Sequence, residues 1–447
     1  GRRVYWLAGI WVGLAASTKY GAVLMALPLA AAHLLLVWRG PGDADGTMSA
    51  SGEPALDRRG SDAGRQPRFF GLFGFWPALA GAGAAFLATT PFALLDMRTF
   101  LGDFIFEGQH VASENGLSLG RGWGYHLRHT LPLGVGWPML VCALVGGAMT
   151  VRRSWRTALV LFLFPLAFYI VAGKGQTVFV RYMVPVVPFL SISAAVCVAG
   201  VGAFLRAERA RAYLIAGLAI LVVLPSLGRC VQFDRLLTRA DTRLLAAEWF
   251  MRNAPPGGSI YQSGSAYAHV QLPQVLPRHD EAAPGTDSLR AGVEEKVRAI
   301  QRNQMRTGGF HRWGYGTPFV LPTDQTSARR RKLDRKVPAP LVDEEGADTG
   351  FHEILPGFTY RAVPPGALPD YIVIHESPLK LFTVPPEKIM SLVASQYDLQ
   401  EEFQGQRSRS VAGWHDQLDA FFLPFAGFSG TARPGPNIAV YRRATSP

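Results

Sequence analysis

The sequence predicts a polytopic α-helical membrane domain followed by an extracytoplasmic α/β domain, and three observations carry that expectation. Up to about residue 230, apolar runs of roughly 17–25 residues succeed one another, the length that spans a bilayer as a helix. Beyond that point Pro, Gly, Arg, Asp and Glu intersperse with short apolar stretches, as in a chain that folds in water. The basic residues also sort by position. Arg39, Arg152, Arg153, Arg156, Arg206, Arg209 and Arg211 flank one set of helix ends, which the positive-inside bias places in the cytoplasm. Lys19, Lys174 and Arg181 sit at the opposite ends, where an unpaired cation near the bilayer has no inexpensive structural role.

The first run, Val4 to Thr18, breaks at Lys19-Tyr20-Gly21, and a second continues from Ala22 to Trp38. A single helix over both would be about 50 Å long at 1.5 Å per residue, too long for one crossing, so a hairpin turning at Lys19 is expected. Residues 39–68 are polar, aperiodic and rich in Gly, Ser, Asp and Arg, and read as a cytoplasmic linker. A span follows over Phe69 to Leu95, then an extracytoplasmic loop over 96–130. In that loop Phe100, Leu101, Phe104, Ile105 and Phe106 alternate with Asp103, Glu107, His110 and Glu114, the pattern of an amphipathic helix on the membrane surface. Further spans are expected near 131–151, 157–172, 182–204 and 212–229, about seven in all, within a membrane domain of residues 1–230. Residues 231–447 form the second domain, with a helix at Asp241 to Asn253, strands beginning at Ser259, at Asp370 to His375 and at Asn437 to Arg442, and a helix at Glu387 to Gln396. The stretch Ala328 to Asp348 reads as loop.

The formal charge of +12 is explained by arginines beside apolar runs, and no basic-aromatic nucleic-acid motif accompanies it, so a nucleic-acid partner is not expected. Cys142, Cys197 and Cys230 are scattered and make neither a disulfide framework nor a zinc cluster. The segment Ala172 to Thr177 has glycines around Lys174 but lacks the spacing of a phosphate loop. Lys19, Arg181 and Lys174 are instead candidates for a lipid phosphate, Arg181 foremost because a guanidinium grips phosphate oxygens bidentately. The alternative is snorkelling to headgroups. Asp96 acts as a base, positions a substrate or caps the surface helix after it. Glu107, His110 and Glu114 fall on one helical face and could hold a divalent metal, the one cofactor these residues admit, or form a solvated surface. His126 and His129 add possible ligands, His33 reads as packed inside a span, and His375-Glu376 at a strand end is a weaker signal. The second domain shows no nucleophile triad and no Gly-rich dinucleotide turn.

Five segments in order resemble a bacterial membrane glycosyltransferase: Leu7 to Tyr20, Thr90 to Asp96, Tyr125 to Gly134, Arg181 to Leu190 and Asp241 to Trp249. The group they resemble is the dolichyl-phosphate-mannose–protein mannosyltransferase-like family, of GT-C fold, related to the aminoarabinose transferases. The likeness covers most of residues 1–270 and the end of the tail more loosely. It implies an enzyme of the bacterial cytoplasmic membrane that moves a sugar from a polyprenyl-phosphate donor to an acceptor on the extracytoplasmic face. Lys19 and Arg181 lie inside matching segments and inherit the donor phosphate; Lys174 matches nothing. The family's catalytic acid lies in the first extracytoplasmic loop, upstream of Gly1, so the chain is expected to be amino-terminally truncated and inactive alone, with Asp96 and Glu107 as secondary candidates. The competing expectation is a non-catalytic membrane protein whose extracytoplasmic domain binds a ligand or partner.

Overall fold

The computed structural model describes residues 2–37, 72–112, 119–176, 178–275, 309–315, 350–355, 359–407 and 413–444. The expected linker at 39–68 and loop at 328–348 lie outside them. The chain divides into two compact units, Gly1–Leu227 and Gly228–Pro447.

The first unit is helical. Helix α1 (Arg2–Thr18) leads through a 3-10 segment (Tyr20–Met25) into α2 (Ala26–Val37). The two helices fold back on one another, because the Tyr5 hydroxyl lies 2.8 Å from Nδ1 of buried His33. Next come α3 (Trp76–Thr89), the single turn α4 (Phe92–Leu95) and α5 (Met97–Ala112). A short α6 (Gly122–Tyr125), a π-helical turn (His126–Thr130) and α7 (Leu131–Val135) precede α8 (Trp137–Arg153) and α9 (Trp155–Lys174). A second 3-10 segment (Val180–Val186) opens α10 (Val187–Gly202), and α11 (Glu208–Leu237) ends the series.

Four helical stretches are long and apolar enough to cross a membrane: Tyr20–Val37, Trp155–Lys174, Val180–Gly202 and a window within Glu208–Asn253. A fifth is available if Gly122–Val135 and Trp137–Arg153 count as one span, bent by 109°. The bend falls at Gly136, whose φ of +82° only glycine adopts without strain. The other two expected spans are shorter, α1 at 17 residues and α3 at 14.

Helices in this unit approach through small residues. A Cβ on Gly9 or Gly13 of α1 would lie 2.0 or 2.2 Å from the carbonyls of Ala78 or Ala82 in α3. One on Gly146 of α8 would lie 1.8 Å from the Ser193 carbonyl of α10. Such close backbone approach brings many atoms into dispersion contact, which supplies attraction between the helices. A larger-residue core of Leu131, Leu140, Phe164, Phe168 and Met183 fills the space around α7, α9 and the second 3-10 segment.

The second unit is built on a seven-stranded mixed sheet ordered β4-β3-β2-β1-β5-β7-β6. Its strands are β1 (Ser259–Gln262), β2 (His311–Tyr315), β3 (Phe351–Leu355), β4 (Thr359–Ala362), β5 (Tyr371–Glu376), β6 (Tyr397–Phe403) and β7 (Asn437–Arg443). Strands β1, β2 and β5 run parallel, the rest antiparallel to their neighbours. Helix α12 (Thr242–Asn253), capped by the Asp241 carboxylate on the Arg243 amide at 2.8 Å, covers one face with Ala246 and Phe250 against Ile260, Val373 and Val440. The short α13 (Lys380–Thr383) follows β5, and α14 (Glu387–Gln396) covers the other face with Ile389 and Val393 against Tyr261, Ile372 and Ile374. Strand β5 is therefore buried on both sides, the reason Tyr371–Ile374 is an uninterrupted apolar run.

Four strands are absent from the sequence-based expectation: β2, β3, β4 and β6. Strand β6, Tyr-Asp-Leu-Gln-Glu-Glu-Phe, is a mostly exposed edge whose charges oppose strand propensity, and only its pairing with β7 makes it a strand. Trp313 and Tyr315 lie in β2 and pack against the Tyr261–Ile372 core.

Candidate functional site

In the first unit three stretches depart from α-helical geometry and meet around α9. At the hairpin turn Lys19 takes an extended backbone, φ −153° and ψ 119°, and Tyr20–Met25 winds as a 3-10 helix. Gly21 packs against the Phe168 ring of α9. Past α9, Val180–Val186 is again 3-10, with Pro185 unable to donate to an α-helical ladder. The third is the π turn His126–Thr130, where the His126 Nδ1 lies 2.9 Å from the Thr130 hydroxyl and Pro132 withholds the N–H that an α-helix would return to Arg128. The α6 turn just before it is clamped to the end of α9 by three bonds: Trp123 Nε1 to the Ile170 carbonyl at 3.0 Å, the Tyr169 hydroxyl to the Trp123 carbonyl at 2.6 Å, and the Gly122 amide to the Gly175 carbonyl at 3.2 Å. Irregular backbone at membrane depth is tolerated only where protein buries it or a polar cavity receives it.

Two of the sequence-selected cations come together here. The Lys19 ammonium lies over the Tyr182 ring, 5.3 Å from its centroid, and the neighbouring Arg181 guanidinium lies 4.0 Å over Phe179. Partial desolvation first, and the Arg181 charge second, hold the Lys19 ammonium below its ordinary pKa. Among the described residues no carboxylate pairs with Lys19. Two like charges within each other's field, one of them without a counter-charge, favour an anion between or beside them. Tyr182 is the residue that sequence reasoning missed at this point, although it follows Arg181 directly.

The remaining candidates are placed elsewhere. Lys174 is exposed at the carboxyl end of α9, where a cation complements the helix dipole, and makes no hydrogen bond or ion pair among the described residues. Asp96 accepts from the Thr99 amide at 3.2 Å, so its carboxylate caps the start of α5. The α5 helix in turn docks Phe100 and Phe104 on Tyr20, the residue beside Lys19, at ring separations of 5.6 and 5.7 Å. Glu107 and His110 lie on α5, but their side chains and the whole of Glu114 fall outside the described residues. Among the described residues no group of three His, Cys, Asp or Glu side chains is placed to hold a metal ion.

The second unit contains a cavity of about 260 Å³ beneath residues 266–274 and over β1 and the start of β2. Gln262, His269, Gln271, Gln274, His311 and Arg312 supply its polar lining. Behind His269, at 5.7 Å between ring centroids, lies His375, fully buried, with Nδ1 3.0 Å from the Ser263 carbonyl and Nε2 without a partner among the described residues. Burial first, and Arg312 second, push His269 down to about 4; burial first, and His269 second, push His375 to about 3. The His375-Glu376 signal in the sequence thus belongs to a buried neutral imidazole that closes β5.

Comparison with protein-family models, with curated proteins and with solved structures finds no match for this chain.

Proposed function

We propose that this chain acts in a polyprenyl-phosphate-sugar-dependent glycosyltransferase of the bacterial cytoplasmic membrane, with sugar transfer to an acceptor on the extracytoplasmic face. The observation that carries the reading is the convergence of Lys19 and Arg181 at Tyr182, among three irregular helical segments. In this arrangement seven segments cross the membrane: the four long apolar helices, the bent pair, α1 and α3. The outer ends then include Lys19 and Arg181, and the second unit is extracytoplasmic. As the glycosidic bond breaks, negative charge develops on the lipid phosphate, and preorganised cations stabilise that charge where water is scarce. Arg181 holds phosphate oxygens and Lys19 adds a point charge. The acceptor hydroxyl needs a base. Asp96 serves α5 as a cap, and no general base is assigned.

The test is binding of undecaprenyl phosphate to the protein in lipid nanodiscs. Arg181→Ala is expected to weaken binding about ten- to a hundredfold, the equivalent of about 1.5–3 kcal/mol for a charged hydrogen bond, with far-UV circular dichroism unchanged. Unchanged affinity in the folded variant rejects the phosphate assignment. A second reading is favoured by the cavity in the second unit: a non-catalytic membrane protein with an extracytoplasmic ligand-binding domain. Phosphate binding without transfer from any polyprenyl-phosphate sugar would support it.

A further inference from the structure

We propose that loop 420–425 of the second unit seats Phe421 in the headgroup boundary of the lipid bilayer that α11 crosses, an assignment that rests on reading α11 as a membrane span and not on the transferase chemistry. The loop reads Ala-Phe-Phe-Leu-Pro-Phe, an apolar run outside every strand and helix. It divides its side chains between two environments. Phe422 and Leu423 are buried, whereas Phe421 is 38% exposed. Phe422 anchors the loop against Phe382, at 6.3 Å between ring centroids. The backbone is held as well: the Phe425 amide donates to the Trp414 carbonyl at 2.7 Å, and the Trp414 amide to the Ala426 carbonyl at 2.8 Å. A large aromatic side chain held outward by anchored neighbours presents apolar surface to a partner.

Helix α11 identifies that partner as lipid. Its apolar run follows Arg211, one of the arginines assigned to the cytoplasmic helix ends. Phe233 lies 22 residues beyond Arg211 in the same helix, about 33 Å along its axis at 1.5 Å per residue. The hydrocarbon core of a bilayer is about 30 Å thick, so Phe233 stands at the outer headgroup level. Its ring stacks on Phe421 and on Phe425, each 5.8 Å away with planes within 20°, and those two rings are 6.0 Å apart. The stack carries the loop to the depth of Phe233, and the exposed edge of Phe421 with it. Interfacial segments bury Phe, Trp and Leu roughly 5–10 Å into the boundary between headgroups and acyl chains, the depth this geometry provides. Two residues past Phe233, Arg235 is exposed and makes no ion pair among the described residues, as suits a guanidinium that meets headgroup phosphates.

The test is lipid photolabelling of the full chain in phosphatidylcholine nanodiscs. The probe is a phosphatidylcholine with a diazirine near the ester end of one acyl chain, and adducts are mapped by mass spectrometry. Adducts on residues 420–425 are expected at least tenfold above those on β6, an exposed edge strand of the same unit, together with adducts on the α11 run 212–228. Labelling of 212–228 with residues 420–425 no higher than β6 would overturn the proposal and leave the span in place. Absence of adducts from both would overturn the span and the proposal together. Protection of residues 420–425 from the lipid probe and from hydroxyl radicals in water alike would assign Phe421 to a protein partner or a second copy, and overturns it too. Phe421→Asn is expected to lower adducts on 420–425 at least fivefold with those on 212–228 unchanged; an unchanged yield in the folded variant rejects the assignment. The measurement on the parent protein decides the matter if that variant does not fold.

Discussion

The two units hold themselves together by different means. In the first, helices meet where side chains are smallest: Gly9 and Gly13 against α3, Gly146 against α10. In the second, the centre is filled by large groups such as Phe250, Tyr371 and Ile372, each almost fully buried. The solvent explains the contrast. With the first unit in a bilayer, as proposed above, lipid tails as apolar as leucine leave close backbone approach to hold its helices, whereas in water each buried aromatic or aliphatic side chain contributes about 1.5–3 kcal/mol by leaving solvent. The treatment of polar groups differs as well. The first unit keeps Lys19 exposed beside Arg181, while the second buries His375 neutral.

The largest expected effect tests the small-residue seam. In Gly146→Leu the new side chain would collide with backbone rather than with a movable side chain, an overlap beyond ordinary overpacking in a protein whose total stability is of order 5–15 kcal/mol. Loss of monodisperse protein after detergent extraction is expected, whereas Gly83→Leu, which points into open space, should be recovered normally. Equal recovery of both would break the comparison. Next in size, Phe250→Ala should lower the unfolding free energy of the second unit by about 3–5 kcal/mol, read from the urea midpoint. A loss below about 1 kcal/mol would mean that the sheet face under α12 collapses to fill the space.

The smallest effect sharpens the polar side of the contrast. His375 in the folded protein titrates near 3, against about 6.5 when unfolded. Above pH 6.5 both states are neutral and stability is fully present. As pH falls below 6.5 the unfolded state takes up a proton that the folded state refuses, so stability drops by up to about 1.4 kcal/mol per pH unit. Urea midpoints between pH 7.5 and 5 should show this slope. His375→Asn keeps a donor toward the Ser263 carbonyl and should reduce the slope to the share left by His269, itself pushed down to about 4; an unchanged slope would assign the titration elsewhere.

Much of the architecture was legible in the residues. The apolar runs, the break at Lys19, the change of composition near residue 230 and the helix Glu387–Gln396 all depend on local pattern. The strand β6 was not, because pairing with β7 overrides its own charged composition. Nor were β2 and β3, short strands of mixed polarity whose neighbours in the sheet are distant in sequence. Lys19 and Arg181 were singled out by sequence because a cation at the wrong end of an apolar run is a local anomaly. Their meeting at Tyr182 was not visible there, since 162 residues separate Lys19 from Arg181.

The sequence by itself determined that an apolar helical half precedes a half of alternating helices and strands, and that Lys19 and Arg181 stand at the ends of apolar runs. Those are properties of composition and spacing, which a single stretch of chain carries alone. The tertiary structure decided what those residues face. It brought the Lys19 turn to Arg181 and Tyr182 in the segment after α9, and it assembled Gln262, His269 and Arg312 around one cavity from three stretches of chain. Sites of this kind arise from long-range contact, and no local pattern encodes which distant side chains will share a cavity.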